Sequence, residues 1–161
     1  NTVSVEILPS SINFNLTLPL QGKTTANASS IVFQIYAVGG TAPVVEKTDV
    51  STNNSGQSTF SIDNLATGNY DIKIKAPYFL ATKKLNVAVI NTTNIDFSQQ
   101  LTGDLNNDNQ ISIYDYSRLI SVWRSKSGDA AFNANYDIKQ DGQINIYDYS
   151  LLISNWRKIG S

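Results

Sequence analysis

The chain of 161 residues contains no cysteine, no histidine and no methionine. Without cysteine no disulfide can staple a small domain, so stability must come from buried apolar surface or from bound metal. The same absences exclude imidazole acid–base catalysis, thiolate nucleophiles and the usual zinc ligands. Charge is scarce too: 12 basic residues stand against 13 acidic ones, for a net charge of −1. No basic cluster is present, which argues against a nucleic-acid partner. No apolar run approaches the roughly 20 residues needed to cross a bilayer, so membrane insertion is not expected. No signal peptide is visible. The first residue is Asn1 rather than Met, and the chain therefore reads as a segment of a longer protein.

What is present divides into two textures. Residues 1 to 98 alternate with period two. "VSVEI" sets Val3, Val5 and Ile7 against Ser4 and Glu6, and "INFNLTLPL" sets Ile12, Phe14, Leu16, Leu18 and Leu20 against Asn13, Asn15 and Thr17. "SIVFQIYAV" is apolar on both faces, as a central strand would be. "GQSTFSI", "NYDIKIK", "LNVAVI" and "TNIDF" follow at short spacing, separated by Gly, Asn, Pro and Ser. Such a rhythm predicts an all-β sandwich of about seven to eight strands. Lys73, Lys75, Lys83 and Lys84 are expected on a solvated face or a protected sheet edge. Tyr78 and Phe79 are expected to tuck over the sandwich edge; a glycan contact is the alternative.

From Gly103 the apolar spacing lengthens to three and four. Tyr116, Leu119, Ile120 and Trp123 form a helical stripe, and Tyr149, Leu152, Ile153 and Trp156 repeat it. The division is therefore a sandwich over 1–98, a short linker over 99–102, and a small α module over 103–161. So short a connector predicts that the modules pack together or hold a limited angle.

The second module is a duplication. "DLNNDNQISIYDYSRLISVWR" (104–124) and "DIKQDGQINIYDYSLLISNWR" (137–157) agree at 14 of 21 positions with an offset of 33. Each unit fits the 12-residue calcium loop, whose hard cation takes six to eight oxygens. In the first loop Asp104, Asn106 and Asp108 occupy positions 1, 3 and 5. Gln110 offers its backbone carbonyl at position 7, Ser112 acts through water at position 9, and Asp115 closes the loop at position 12. Asn109 takes position 6, where a positive φ favours Gly and Asn is the next best tenant. Ile111 is expected to bridge the paired loops.

In the second loop the ligands are Asp137, Asp141, the Gln143 carbonyl, Asn145 through water, and Asp148, with Gly142 at the turn. Lys139 stands at position 3 in place of an oxygen. Either water fills that vacancy and calcium still binds, or the ammonium itself replaces the ion. Each loop runs directly into a helix, so Ser112 with Asp115, and Asn145 with Asp148, also suit N-cap and N3 positions. "DFSQQLTG" before the first loop reads as strand and turn. The repeat is thus a calcium loop plus exiting helix (an F-hand), twice.

Two resemblances follow. "SGQSTFSIDNLATGNYDIKIKAPYF", with Leu65, Gly68 and Tyr70 in a leucine–x–x–Gly–x–Tyr turn, resembles the prealbumin-like, carboxypeptidase-regulatory-like sandwiches. Residues 103 to 160, carrying "GDLNNDNQISIYD" and "YDIKQDGQINIYD", resemble the dockerin family, including Asp at the last loop position and the missing first helix. That resemblance implies calcium as cofactor and a cohesin domain as partner. It places recognition on Ile113, Tyr114, Ile120, Ser121 and Ser125, and on Ile146, Tyr147, Ile153, Ser154 and Lys158. Ile–Tyr at these places predicts a more apolar contact than the hydroxyl or basic pairs of familiar dockerins, with a Tyr hot spot. Ile120 and Ile153 lie beside the core stripe and could equally be buried; Trp123 and Trp156 are expected in the core.

These readings together imply a non-catalytic assembly or adhesion module of an extracellular, prokaryotic protein with a role in polysaccharide degradation. The six loop aspartates are committed to metal, and any catalytic domain is expected before Asn1. The rival reading is a carbohydrate-binding or surface-stalk module in which the second half is only a calcium-stabilised cap.

Overall fold

The computed structural model describes residues 11–161. The alternation around Val3, Val5 and Ile7 lies outside the described residues. Seven strands come first: β1 (Ile12–Thr17), β2 (Ile31–Ala37), β3 (Pro43–Val50), β4 (Gln57–Ile62), β5 (Gly68–Lys75), β6 (Thr82–Val89) and β7 (Thr92–Asp96). Two helices follow, α1 (Ile113–Ser121) and α2 (Ile146–Ser154). The strands form two sheets, one of order β4–β1–β7 and one of order β3–β2–β5–β6. All pairings are antiparallel except β1 with β7.

The alternation of the sequence becomes the sandwich core. Ile12, Phe14 and Leu16 of β1 point inward with Ile31, Phe33 and Ile35 of β2 and with Ile72 and Ile74 of β5. Phe14, Phe33 and Phe60 meet with ring centroids 5.0–5.8 Å apart, within the range where aromatic pairs attract beyond their area burial. Leu65 of the leucine–x–x–Gly–x–Tyr turn is buried, and the Tyr70 hydroxyl donates to Ala66 O at 3.0 Å.

β3 has no counterpart in the sequence reading, because it lacks the signal. It is an edge strand and nearly every residue in it is exposed or half-exposed. With no apolar face there is no alternation to see, and Pro43 at its first position masks it further. An edge strand tolerates that proline because no neighbour needs its missing N–H.

The lysines divide. Lys83 on β6 pairs with Asp71 at 3.3 Å and lies 4.9 Å from the Tyr36 ring centre. Lys75 does not face solvent: its ammonium reaches Asp104 of the first loop at 2.7 Å.

The segment from 99 to 102 is pinned. Gln100 is fully buried; its Oε1 accepts from Ala76 N at 3.0 Å and its Nε2 donates to Ile74 O at 2.7 Å. Its backbone bridges Leu20, Thr102 bridges Phe79, and Leu80 N donates to Leu101 O. Each buried polar group here has a partner, which a freely swinging hinge would not need. A second core gathers Leu105, Ile111, Leu119, Ile138, Ile144 and Leu152, and takes in Leu80 from the sandwich.

The two loop–helix repeats clasp each other symmetrically. Ile111 and Ile144 do not bridge one another as the sequence suggested. Ile111 exchanges backbone hydrogen bonds with Arg157 and Lys158, beyond α2, and Ile144 does so with Arg124 and Ser125, beyond α1. Arg124 and Arg157 turn the chain with φ of 65° and 63°. Each loop therefore pairs with the tail of the other helix, an arrangement a short separate hand could not make.

Candidate functional site

Loop one is built around two buried carboxylates. Asp115 has no exposure; its Oδ1 accepts from Asn106 N at 3.1 Å and its Oδ2 from Ser112 N at 2.7 Å. The second bond closes a capping box, since the Ser112 hydroxyl in turn accepts from Tyr114 N. Asp115 thus serves helix and loop together. Asp108 accepts from Gln110 N at 2.9 Å, and Asn106 Oδ1 accepts from Asp108 N at 3.1 Å. Asn109 has φ of 68°, the turn its position required. Asp104 Oδ2 accepts from Asn109 N at 3.0 Å and from Lys75 Nζ.

Loop two follows the same plan. Asp137 accepts from Asp141 N at 3.2 Å and Gly142 N at 2.8 Å. Asp148 accepts from Lys139 N at 2.9 Å and Asn145 N at 2.8 Å, again as a capping box. Gly142 turns with φ of 80°. The Lys139 backbone does what Asn106 does in loop one. Its side chain is exposed and, among the described residues, makes no salt bridge. The ammonium has not replaced an ion between the loop carboxylates.

The donor set fits a hard cation. Burial pushes the carboxyls of Asp115 and Asp148 above the ordinary aspartate range; their backbone hydrogen bonds oppose this, while the other loop aspartates add to it. Charges of one sign are thus crowded in a place with little water, and a cation would relieve both effects. One atom points to the same need: Asp104 Oδ1 is buried and has no hydrogen-bond partner. Among the described residues no three acidic side chains form a ready-made metal cluster. The loops instead offer mixed carboxylate, amide, hydroxyl and carbonyl oxygens from Asp104, Asn106, Asp108, Gln110, Ser112 and Asp115, and from Asp137, Asp141, Gln143, Asn145 and Asp148. Calcium is the common divalent ion that accepts such a set.

Most of the candidate partner residues are exposed on α1 and α2. Ile113 and Ile146 are each 55 % exposed, Tyr114 68 %, Tyr147 61 %, and Ile120 and Ile153 39 % each. The open question over Ile120 and Ile153 is therefore answered toward the surface; Leu119 and Leu152, at 0 %, fill the core instead. Trp123 and Trp156 pack half-buried against that core. Ser121 and Ser154 are exposed. Ser125 is buried with its hydroxyl on Val122 O, and drops out of the accessible set; its equivalent Lys158 is exposed.

Contacts from the sandwich to the loops could not be read from the sequence. Asn107 Oδ1 accepts from Tyr78 N at 2.6 Å, Asn109 Oδ1 from Ala81 N at 2.8 Å, and Gln140 Oε1 from Thr24 N at 3.3 Å. The only trace was Asn109 standing where Gly is usual. Phe79 is buried and Tyr78, with φ of 69°, is half-buried at this seam. They present no open aromatic platform for a sugar.

The comparisons agree with this geometry. Residues 102–155 match the family model described as Dockerin type I domain, so the dockerin resemblance holds over the duplicated module. Two solved chains share the whole architecture at 19 % identity, with TM-scores of 0.70 and 0.69, covering 92 % of this chain and 97 % of theirs. They come from crystal structures of type II cohesin–X-dockerin complexes of Acetivibrio cellulolyticus, one a C-terminal and one an N-terminal interface mutant. At that identity the likeness shows the fold: a β-sandwich followed by a dockerin region with two helices. No curated protein matches the chain.

Proposed function

We propose that the chain is a non-catalytic assembly module that binds a cohesin domain and anchors an extracellular parent protein to a scaffold or cell surface. The observation that carries this reading is the exposed set Ile113, Tyr114, Ile120 with Ile146, Tyr147, Ile153 on a dockerin-type repeat. Six large apolar side chains left in water beside a satisfied core mark an interaction face, and exposed tyrosines suit the centre of one. Bound calcium would offset the net negative charge of each loop. Asp115 and Asp148 hold the loop ends to the helix starts, and so fix the angle at which Tyr114 and Tyr147 are presented.

The near-equality of exposure between repeats extends the proposal. Ile113, Tyr114, Ile120 and Ser121 recur as Ile146, Tyr147, Ile153 and Ser154. Rotation by the internal two-fold offers nearly the same face, so a cohesin can dock in either of two orientations. The family match names type I, whereas the solved relatives come from type II complexes, so the cohesin class follows from the partner panel. The test is a pull-down of the full chain against type I and type II cohesins, beside a glycan array, in calcium and in chelator. Calcium-dependent capture of at least one cohesin is expected; glycan binding without any cohesin would favour the stalk reading instead.

A further inference from the structure

Lys75 belongs to β5 of the sandwich, yet its ammonium lies 2.7 Å from Oδ2 of Asp104, at the first position of loop one. The same ammonium donates to Phe79 O at 2.7 Å. Asp104 has no exposed side-chain surface and Lys75 has 20 %. The carboxylate is thereby divided. Oδ2 is held by Lys75 and by Asn109 N, while Oδ1 is buried and bare. Loop two lacks a direct pair of this kind: Asp137 accepts from Asp141 N and Gly142 N, and the half-buried Lys23 of the sandwich acts on it only through the field of its charge, since among the described residues no lysine makes a salt bridge to a loop-two aspartate.

We infer that Lys75 is a resident counter-charge for loop one: it compensates Asp104 in the metal-free protein, keeps the loop formed against the sandwich, and sets the loop's calcium affinity. This rests on the calcium reading given under Proposed function. Two effects fix the direction, and they agree. An ammonium beside the place of a divalent cation repels it. Removing the ammonium also leaves Asp104 buried and unpaired when metal is absent, which disfavours the metal-free form. Loss of Lys75 therefore destabilises the calcium-free chain and tightens calcium binding at loop one. Lys75 is a positioning residue, since it touches Asp104 rather than the ion's bare oxygen.

The experiment uses the full chain, with calorimetric calcium titration and thermal unfolding in calcium and in chelator. Asp108→Asn, at an exposed loop-one ligand, identifies which binding heat belongs to loop one. Lys75→Met is expected to tighten that site by at least about tenfold, leave the other site unchanged, and lower the unfolding midpoint more in chelator than in calcium. Lys75→Arg, which keeps the charge, stays near the parent chain. Unchanged or weaker calcium binding in Lys75→Met, or an equal loss of midpoint in both conditions, overturns the inference. A variant folded only in calcium is the extreme of the expected result; one folded in neither condition is replaced by Lys75→Gln and read the same way. A parent chain that takes up no calcium overturns the calcium reading itself, a different outcome from a parent that binds and a variant that does not change.

Discussion

At Asn109 one side chain answers two demands. Its backbone takes the positive φ that the sixth loop position imposes, and its amide oxygen reaches Ala81 N of the sandwich. Gly, as at position 142, would satisfy the first demand only. Asn109→Ala loses the hydrogen bond and adds αL strain, and is expected to cost about 2 kcal/mol, read by chemical denaturation. Asn109→Gly relieves the strain and is expected to cost about 1 kcal/mol or less. Equal losses would mean that the contact to Ala81, not the backbone conformation, sets the cost. Lys139 is the complementary case. Its backbone is in place for Asp148 while its side chain points to water. Lys139→Asn restores an oxygen and removes a charge, so the second loop should bind calcium more tightly in titration. The sequence made the altered ligand at 139 visible, since its twin at 106 was at hand for comparison. It concealed Lys75 entirely, because only tertiary contact distinguishes that lysine from Lys73.

At the scale of elements, the loop–helix unit is the piece most legible in the sequence. A 12-residue ligand pattern, a cap residue and a helical stripe all overlap in one short stretch, and the duplication states it twice. The capping boxes bear out the cap and N3 positions, Ser112 with Asp115 and Asn145 with Asp148, at the level of single hydrogen bonds. Ser112→Ala removes the oxygen that accepts from Tyr114 N, and should lower stability in chelator by about 1 kcal/mol. The matching change at Asn145 should cost about the same. Strands were legible where one face is buried, as in β1 and β2. β3 was not, because an exposed edge strand carries no period-two pattern. The exchange of each loop with the other helix's tail was also hidden, since local sequence does not record which distant backbone groups pair.

At the scale of the molecule, sandwich and dockerin region meet along a seam rather than at a hinge. Asn107 and Asn109 dock the first loop, Gln140 docks the second, and Ser161 N returns to Ala81 O. The sandwich therefore holds both loops while the Ile–Tyr pairs stay exposed at the helix starts. That division of labour is the central claim, and the Tyr114/Tyr147 pair tests it most directly. The affinity of the full chain for a captured cohesin should be measured in calcium for the parent, Tyr114→Ala, Tyr147→Ala and the double variant, with circular dichroism to verify folding. Each single variant is expected to retain binding through the other repeat, and the folded double variant to lose about 2 kcal/mol or more, the loss typical of a hot spot. A double variant that binds like the parent would contradict the proposed face. A single variant as weak as the double would contradict its two-fold use.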